Sequence, residues 1–228
     1  MKFSLEYLQR DFYRKNKALE LEGLLPSQRL AQLQEGIQDI SLDLLPKNQS
    51  AFSQKSYFSK ARDLWRGNAK VKKIVTSHNL VELAYQLTSE KPIRLAFDQL
   101  LPALETSKDP TDYPSFYKKE TVQKLSAIQE LLSLLIICVE GEGRAPDFAA
   151  SDPFPSTPGN GVYLSPEYEI DFQKLYSRKN QTFLLIGYAK KISQYFRIEE
   201  DPQVHELKKL GYVFGDKLND SVHPILLR

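Results

Sequence analysis

The sequence predicts an α+β protein, with helices gathered in about residues 1–90 and strands from about residue 92 onward. Before Pro92 the apolar residues recur at the helical period, whereas after it come short alternating or continuous apolar runs bounded by Gly and Pro. A length of 228 residues, 41% hydrophobic and 26% charged, suffices for one sizeable core and is far from the composition of a disordered chain. No internal repeat or low-complexity tract divides residues 1–228, which are therefore expected to form a single domain.

Leu5, Leu8, Phe12 and Tyr13 share a helical spacing, which predicts a helix over Leu5–Asn16. In Ala18–Leu25, Leu19 and Leu21 alternate with Glu20 and Glu22, the period of a strand with one buried face. Pro26 and Ser27 open a second helix with Leu30, Leu33, Ile37 and Ile40 on one side; proline suits a first turn, where its missing N–H costs no hydrogen bond. Tyr57, Ala61, Leu64 and Trp65 predict a third helical zone running on to Val71–Val75. Ser77 is expected to cap a fourth helix that turns Leu80, Leu83, Ala84 and Leu87 inward. Ile93–Asp98 alternates like a strand.

Val122, Leu125, Ile128, Leu132 and Leu135 fit a helix, yet the continuous run after Leu131 fits a buried strand equally well, and periodicity leaves both open. Four prolines and four glycines mark a long loop over 141–161. Val162–Leu164 and Phe183–Tyr188 read as strands, Asp201–Leu210 as a helix capped by Asp201 and stopped by Gly211, and Pro224–Leu227 as a last strand.

A net charge of +2 favours neither nucleic acid nor an anionic membrane as partner. The single cysteine, Cys138, sits within the apolar run Leu131–Val139 and is expected to be a buried structural thiol in a reducing compartment. Charged residues stand early where a signal peptide needs apolar ones, and that run is far shorter than the roughly 20 residues of a spanning helix. A cytoplasmic protein with no membrane contact is expected.

Phe12-Tyr13-Arg14-Lys15-Asn16, followed by Ala18 to Pro26 and a helix, resembles the opening of phytanoyl-CoA dioxygenase-like proteins. The likeness continues in Asp63-Leu64-Trp65-Arg66, in the helix Leu80–Leu87, and in Pro92 to Gln99, which is similar to that family's strand ending in Asp-Gln. Gly159 to Leu164 and Phe183–Tyr188 are similar to its Gly-led strand and its late core strand. The resemblance implies a double-stranded β-helix, a jelly-roll barrel buttressed by N-terminal helices, with Leu131–Val139 as a barrel strand. It also implies Fe(II) held by a His-x-Asp pair and a distal His, leaving positions for 2-oxoglutarate and oxygen.

The sequence departs from that pattern. No His-x-Asp occurs; Ser107, Pro110 and Lys118 stand two residues before Asp109, Asp112 and Glu120. No histidine lies between Gly159 and Tyr188, where the distal ligand belongs, and Arg178 is the stand-in for the arginine that holds the co-substrate. The expectation is a catalytically silent jelly roll with no cofactor that binds a small molecule or a protein partner. The alternative is an Fe(II)/2-oxoglutarate-dependent oxygenase with unconventional ligands, drawn from Asp98 or Asp112 and His223. A minor alternative makes 145–158 the docking loop of an interaction module.

The candidate pocket residues are Arg94, Asp98, Gln99 and Tyr188. Arg94, Ala96 and Asp98 alternate with Ile93, Leu95 and Phe97, so one strand face can present a charged pair to a barrel mouth, unless the pair is an internal salt bridge or a solvated face. His78, His205 and His223 are too scattered to nominate a metal site. Tyr176–Arg197 interleaves aromatic and basic residues compatibly with stacking on single-stranded nucleic acid, but a packed strand with a solvated basic end accounts for the same pattern.

Overall fold

The structure, a computed structural model, describes residues 4–44, 58–101, 119–141, 154–171, 180–199, 201 and 203–228. In chain order the elements are α1 (Tyr7–Asn16), β1 (Ala18–Leu21), α2 (Ser27–Leu44), α3 (Ala69–Val75) and α4 (His78–Thr88), then β2 (Ile93–Leu101) and β3 (Lys119–Thr121). There follow β4 (Leu131–Glu140), β5 (Gly161–Leu164), β6 (Glu169–Asp171), β7 (Thr182–Lys190) and β8 (Ile225–Leu227). Short 3-10 turns occupy Leu64–Arg66, Val122–Leu125 and Glu206–Leu210.

Six strands build one antiparallel sheet in the order β1-β5-β4-β7-β2-β8, and β3 pairs with β6 in a second, small sheet. Strands distant in sequence thus lie side by side, β2 beside β7 and β4 beside β7, in an α+β jelly-roll arrangement. The large sheet is apolar on both faces. Leu95, Leu135, Ile137, Tyr163 and Ile186 pack with Leu33, Val71, Ile74, Leu83 and Leu87 of the helices. On the other face, here called the inner face, Phe97, Leu134, Ile136, Val162 and Leu185 meet Ile170 of the small sheet and Tyr195, Leu207 and Tyr212 of the C-terminal segment.

This double burial explains why periodicity left 121–139 undecided. β4 is buried at every position from Leu131 to Val139, so no polar residue marks an exposed face, and the helical-looking Val122–Leu125 is a 3-10 turn ahead of it. β2 extends past its expected end to Leu101 because its pairing with β7 continues to Leu101 opposite Phe183, and it is likewise buried throughout.

Other elements differ from expectation for local reasons. The third helical zone is broken: Asp63 is left-handed at φ 57°, and Asn68 starts α3 afresh by accepting from the Lys70 and Val71 N–H groups. Tyr57 lies outside the described residues. Ser77 holds the N-cap position of α4, as expected, but its hydroxyl makes no cap hydrogen bond and accepts from Arg29 Nη1 at 2.8 Å. The helix expected over Asp201–Leu210 is only the 3-10 turn Glu206–Leu210, stopped as foreseen by Gly211 at φ 88°. In α1, Leu5 just before the helix and Tyr13 are buried while Leu8 and Phe12 face outward.

Within the 141–161 stretch, Gly159 is tied to the core: its N–H donates to Cys138 O and its carbonyl accepts from Leu25 N, both at 2.9 Å. Residues 142–153, most of the proposed docking loop, lie outside the described residues. Cys138 is buried, as expected. No described helix is long and apolar enough to cross a membrane.

Candidate functional site

A bulge between Leu95 and Phe97 in the β2–β7 pairing decides which side chains reach the inner face. One inserted residue shifts the alternation by one, so everything after it changes sides relative to a simple two-residue period. Ile93 and Leu95 face the helices, but after the bulge so do Asp98 and Leu100. Arg94, Phe97 and Gln99 share the inner face. The expected grouping of Arg94 with Asp98 against Phe97 is therefore corrected, and Tyr188 falls on the helix side with Asp98.

Each of the four residues is buried and, Tyr188 excepted, heavily bonded. Arg94 donates to the carbonyls of Leu218 (2.9 Å), His223 (3.1 Å) and Lys191 (3.0 Å) and to Asp220 Oδ1 (3.2 Å), gathering the C-terminal segment onto the sheet. Asp98 accepts from Leu64 N at 3.0 Å and Trp65 N at 3.3 Å, holding that 3-10 turn against β2. Burial, then the nearby Asp63 carboxylate, push the Asp98 carboxyl up to about 8. Gln99 Nε2 donates to the carbonyls of Phe58, Ala61 and Leu100. The Tyr188 hydroxyl has no partner among the described residues, and burial pushes its pKa up.

The inner face also holds a cluster that the sequence did not nominate. Arg62 Nη1 meets Asp201 Oδ1 and Oδ2 at 3.0 and 3.1 Å, and the two side chains are only 6% and 2% exposed. Arg62 Nε donates to Gln99 Oε1 and Nη2 to Leu125 O, both at 3.0 Å, and the guanidinium lies 4.6 Å over the Phe97 ring. Asp201 Oδ2 accepts from Ala127 N at 2.7 Å and Oδ1 from Gln203 N at 2.9 Å. Beside the pair is a cavity of about 20 Å³, room for roughly one water, lined in part by Arg62, Asp63, Ser126, Asp201 and Gln203. Asp63 Oδ1 is buried there without a hydrogen-bond partner among the described residues, and burial pushes this carboxyl's pKa up against the opposing pull of Arg66 and Arg62. No sequence signal joins Arg62 to a residue 139 positions away; Asp201 read as a helix cap because an Asp before Pro usually is one.

His78 and His205 are exposed. His223 is fully buried, its Nδ1 3.0 Å from the Tyr212 hydroxyl, which accepts from Asn219 N at 2.9 Å. Burial, then Arg66 and Arg94, push His223 down to about 3, so the ring is neutral. Two arginines close enough to do that also oppose a metal cation at this ring. Among the described residues no three His, Cys, Asp or Glu side chains converge as a ligand set, and both Asp98 oxygens are occupied by backbone N–H groups. An iron centre built on Asp98 and His223 does not fit this arrangement. Asp109, Asp112 and Arg178 lie outside the described residues. Of the aromatics proposed for stacking, Phe183 and Tyr188 are buried in β7, Tyr195 is buried beyond it, Phe196 is exposed, and Tyr176 lies outside the described residues.

A curled antiparallel sheet with helices on one face and a polar cluster on the other makes a jelly-roll fold. Solved structures agree. The alpha-ketoglutarate-dependent epimerase SnoN of nogalamycin biosynthesis superposes with a TM-score of 0.67 at 13% identity, over 97% of this chain and 98% of that one. The carbocyclase SnoK of the same biosynthesis gives 0.65 at 12% identity, over 97% and 96%. HygX from Streptomyces hygroscopicus gives 0.53 at 12% identity, over 94% and 98%. At such identities the likeness is one of fold. No protein-family description and no curated protein matches the chain, so the finer likeness to phytanoyl-CoA dioxygenase-like proteins remains a resemblance.

The expectation of no cofactor is corrected by these structures. SnoN has been solved with Fe3+ and alpha ketoglutarate, and HygX with nickel and 2-oxoglutarate. Those two proteins of like fold hold a metal and an oxoacid, so a missing His-x-Asp motif is no ground for assigning none.

Proposed function

We propose that this protein is a 2-oxoglutarate-oxygenase-like jelly roll that binds a small molecule or a protein partner through the inner face of its sheet. The arrangement of that face supports this reading. Its polar groups Arg62 and Asp201 border a small cavity, and Gln99 holds Arg62 in place by accepting from Nε. Convergent polar groups lining a concavity are what a ligand site requires. A second reading, an Fe(II)/2-oxoglutarate-dependent oxygenase whose ligands depart from His-x-Asp, is favoured by the Fe3+ and alpha ketoglutarate complex of SnoN.

Elemental analysis of freshly purified, untagged protein, thermal unfolding with Fe(II), Mn(II) and 2-oxoglutarate, and assay of 2-oxoglutarate-dependent oxygen consumption separate the two. The binding reading expects no consumption of either co-substrate. Stoichiometric iron together with turnover of 2-oxoglutarate overturns it in favour of the oxygenase.

A further inference from the structure

We propose that Arg62 anchors a site for small carboxylates, which in this conformation is filled by the chain's own Asp201. The proposal deepens the binding reading of the inner face and rests on it.

Three contacts hold the Arg62 guanidinium without help from Asp201: Nε to Gln99 Oε1, Nη2 to Leu125 O, and the face of the Phe97 ring. Gln99 and Phe97 belong to the buried strand β2, and Arg62 itself forms a backbone bridge to Gln99. The direction of Nη1 is therefore set by the sheet. A planar guanidinium held this way is prepared to receive a carboxylate at little further entropic cost.

The second donor to the carboxylate is also independent of the residue that supplies it. Ala127 N donates to Asp201 Oδ2 at 2.7 Å from the segment that follows the Val122–Leu125 turn. Only Gln203 N, 2.9 Å from Oδ1, travels with Asp201. Removing the Asp201 side chain leaves a seat with two aligned donors. The adjoining cavity of about 20 Å³, bordered by Ser126 and Gln203, gives a small substituent on the ligand somewhere to go.

Asp201 lies outside every strand and helix, on the segment between β7 and the Glu206–Leu210 turn. As an intramolecular occupant it competes at a high effective concentration, of millimolar order for a tethered group. A free carboxylate thus binds the native chain weakly and binds more tightly once the internal competitor is neutralised.

The test uses the full chain with Asp201→Ala, acetate and formate as probes, and sodium chloride at matched ionic strength as control. Alanine removes the carboxylate that fills the seat and leaves a space of its size. Acetate is expected to raise the Tm of this variant saturably, with a Kd about tenfold or more below that for the native chain. The combined Arg62→Met, Asp201→Ala variant is expected to show no such response. Equal effects of acetate and chloride on Asp201→Ala, or an undiminished acetate response in the combined variant, overturn the proposal and leave a fixed ion pair. If Asp201→Ala does not fold unaided, recovery of folded protein in acetate but not chloride supports the site, and failure in both overturns it. No iron or 2-oxoglutarate turnover enters this readout, so its failure leaves the binding reading untouched, and turnover in the earlier assay is recognised independently.

Discussion

The Phe97 ring lies against the bare backbone of Gly187, its register partner across β2 and β7, so closely that a Cβ on Gly187 would stand 2.5 Å from Phe97 Cε1. The glycine sits here because of this close approach, and the ring it admits is the platform beneath Arg62. Gly187→Ala forces either the ring or the strand to move. A loss of about 1–3 kcal/mol in urea unfolding is expected, the usual cost of overpacking a core. An unchanged midpoint would show that Phe97 can turn aside freely.

Arg94 satisfies three backbone carbonyls, that of Lys191 just after β7 and those of Leu218 and His223 in a C-terminal segment with little regular structure of its own. A lysine in its place has one nitrogen and cannot reach all three. Arg94→Lys is expected to cost about 2–4 kcal/mol, since buried carbonyls are left unpaired. Amide hydrogen exchange is expected to quicken between residues 212 and 223 before it does in β4. Uniform quickening would mean that the segment is held by its apolar contacts instead.

Asp98 and His223 give stability opposite dependences on pH. The folded Asp98 carboxyl titrates at about 8 against an ordinary 3.8, so between those values the native state keeps a proton the unfolded chain has lost, and stability declines as pH rises. His223 is held at about 3 against an ordinary 6.5, so between those values the unfolded chain gains a proton the native state refuses, and stability declines as pH falls. Each slope is at most about 1.4 kcal/mol per pH unit, and they cancel where the windows overlap. Above pH 6.5 only the Asp98 contribution remains. Asp98→Asn is therefore expected to flatten the decline between pH 6.5 and 8 in chemical unfolding. The same decline in variant and native protein would count against a protonated Asp98.

Tyr163 and Tyr188 share the helix side of the sheet but differ in how their hydroxyls are met. Tyr163 donates to Leu80 O at 2.8 Å, whereas the buried Tyr188 hydroxyl has no partner among the described residues. Tyr163→Phe is expected to cost about 1 kcal/mol, and Tyr188→Phe to be neutral or stabilising by about as much, because it removes a desolvated hydroxyl at constant shape. A comparable loss in both variants would show that a water molecule serves Tyr188.

Much of the fold was legible in local pattern. The faces of α2 and α4, the strand β1 and the positions of β5 and β7 follow from apolar spacing, because these elements meet the core in ways their own residues dictate. β4 was ambiguous because burial on both faces erases the contrast on which periodicity depends. The break at Asp63 was hidden because the residues around it keep a helical spacing while a carboxylate on a distant strand, Asp98, takes the N–H groups of the turn.

By itself the sequence determined the α+β class, the glycines and prolines that punctuate it, and the absence of a His-x-Asp pair. It also put Arg94, Asp98 and Gln99 on one strand. Only the tertiary structure decided that a bulge sends Asp98 toward the helices and Gln99 inward, and that Gln99 there orients Arg62 toward Asp201. The physical reason is that side-chain direction in a strand depends on its partner's register, and that a buried charge must find its counter-charge wherever packing brings one within reach, however far away in the chain.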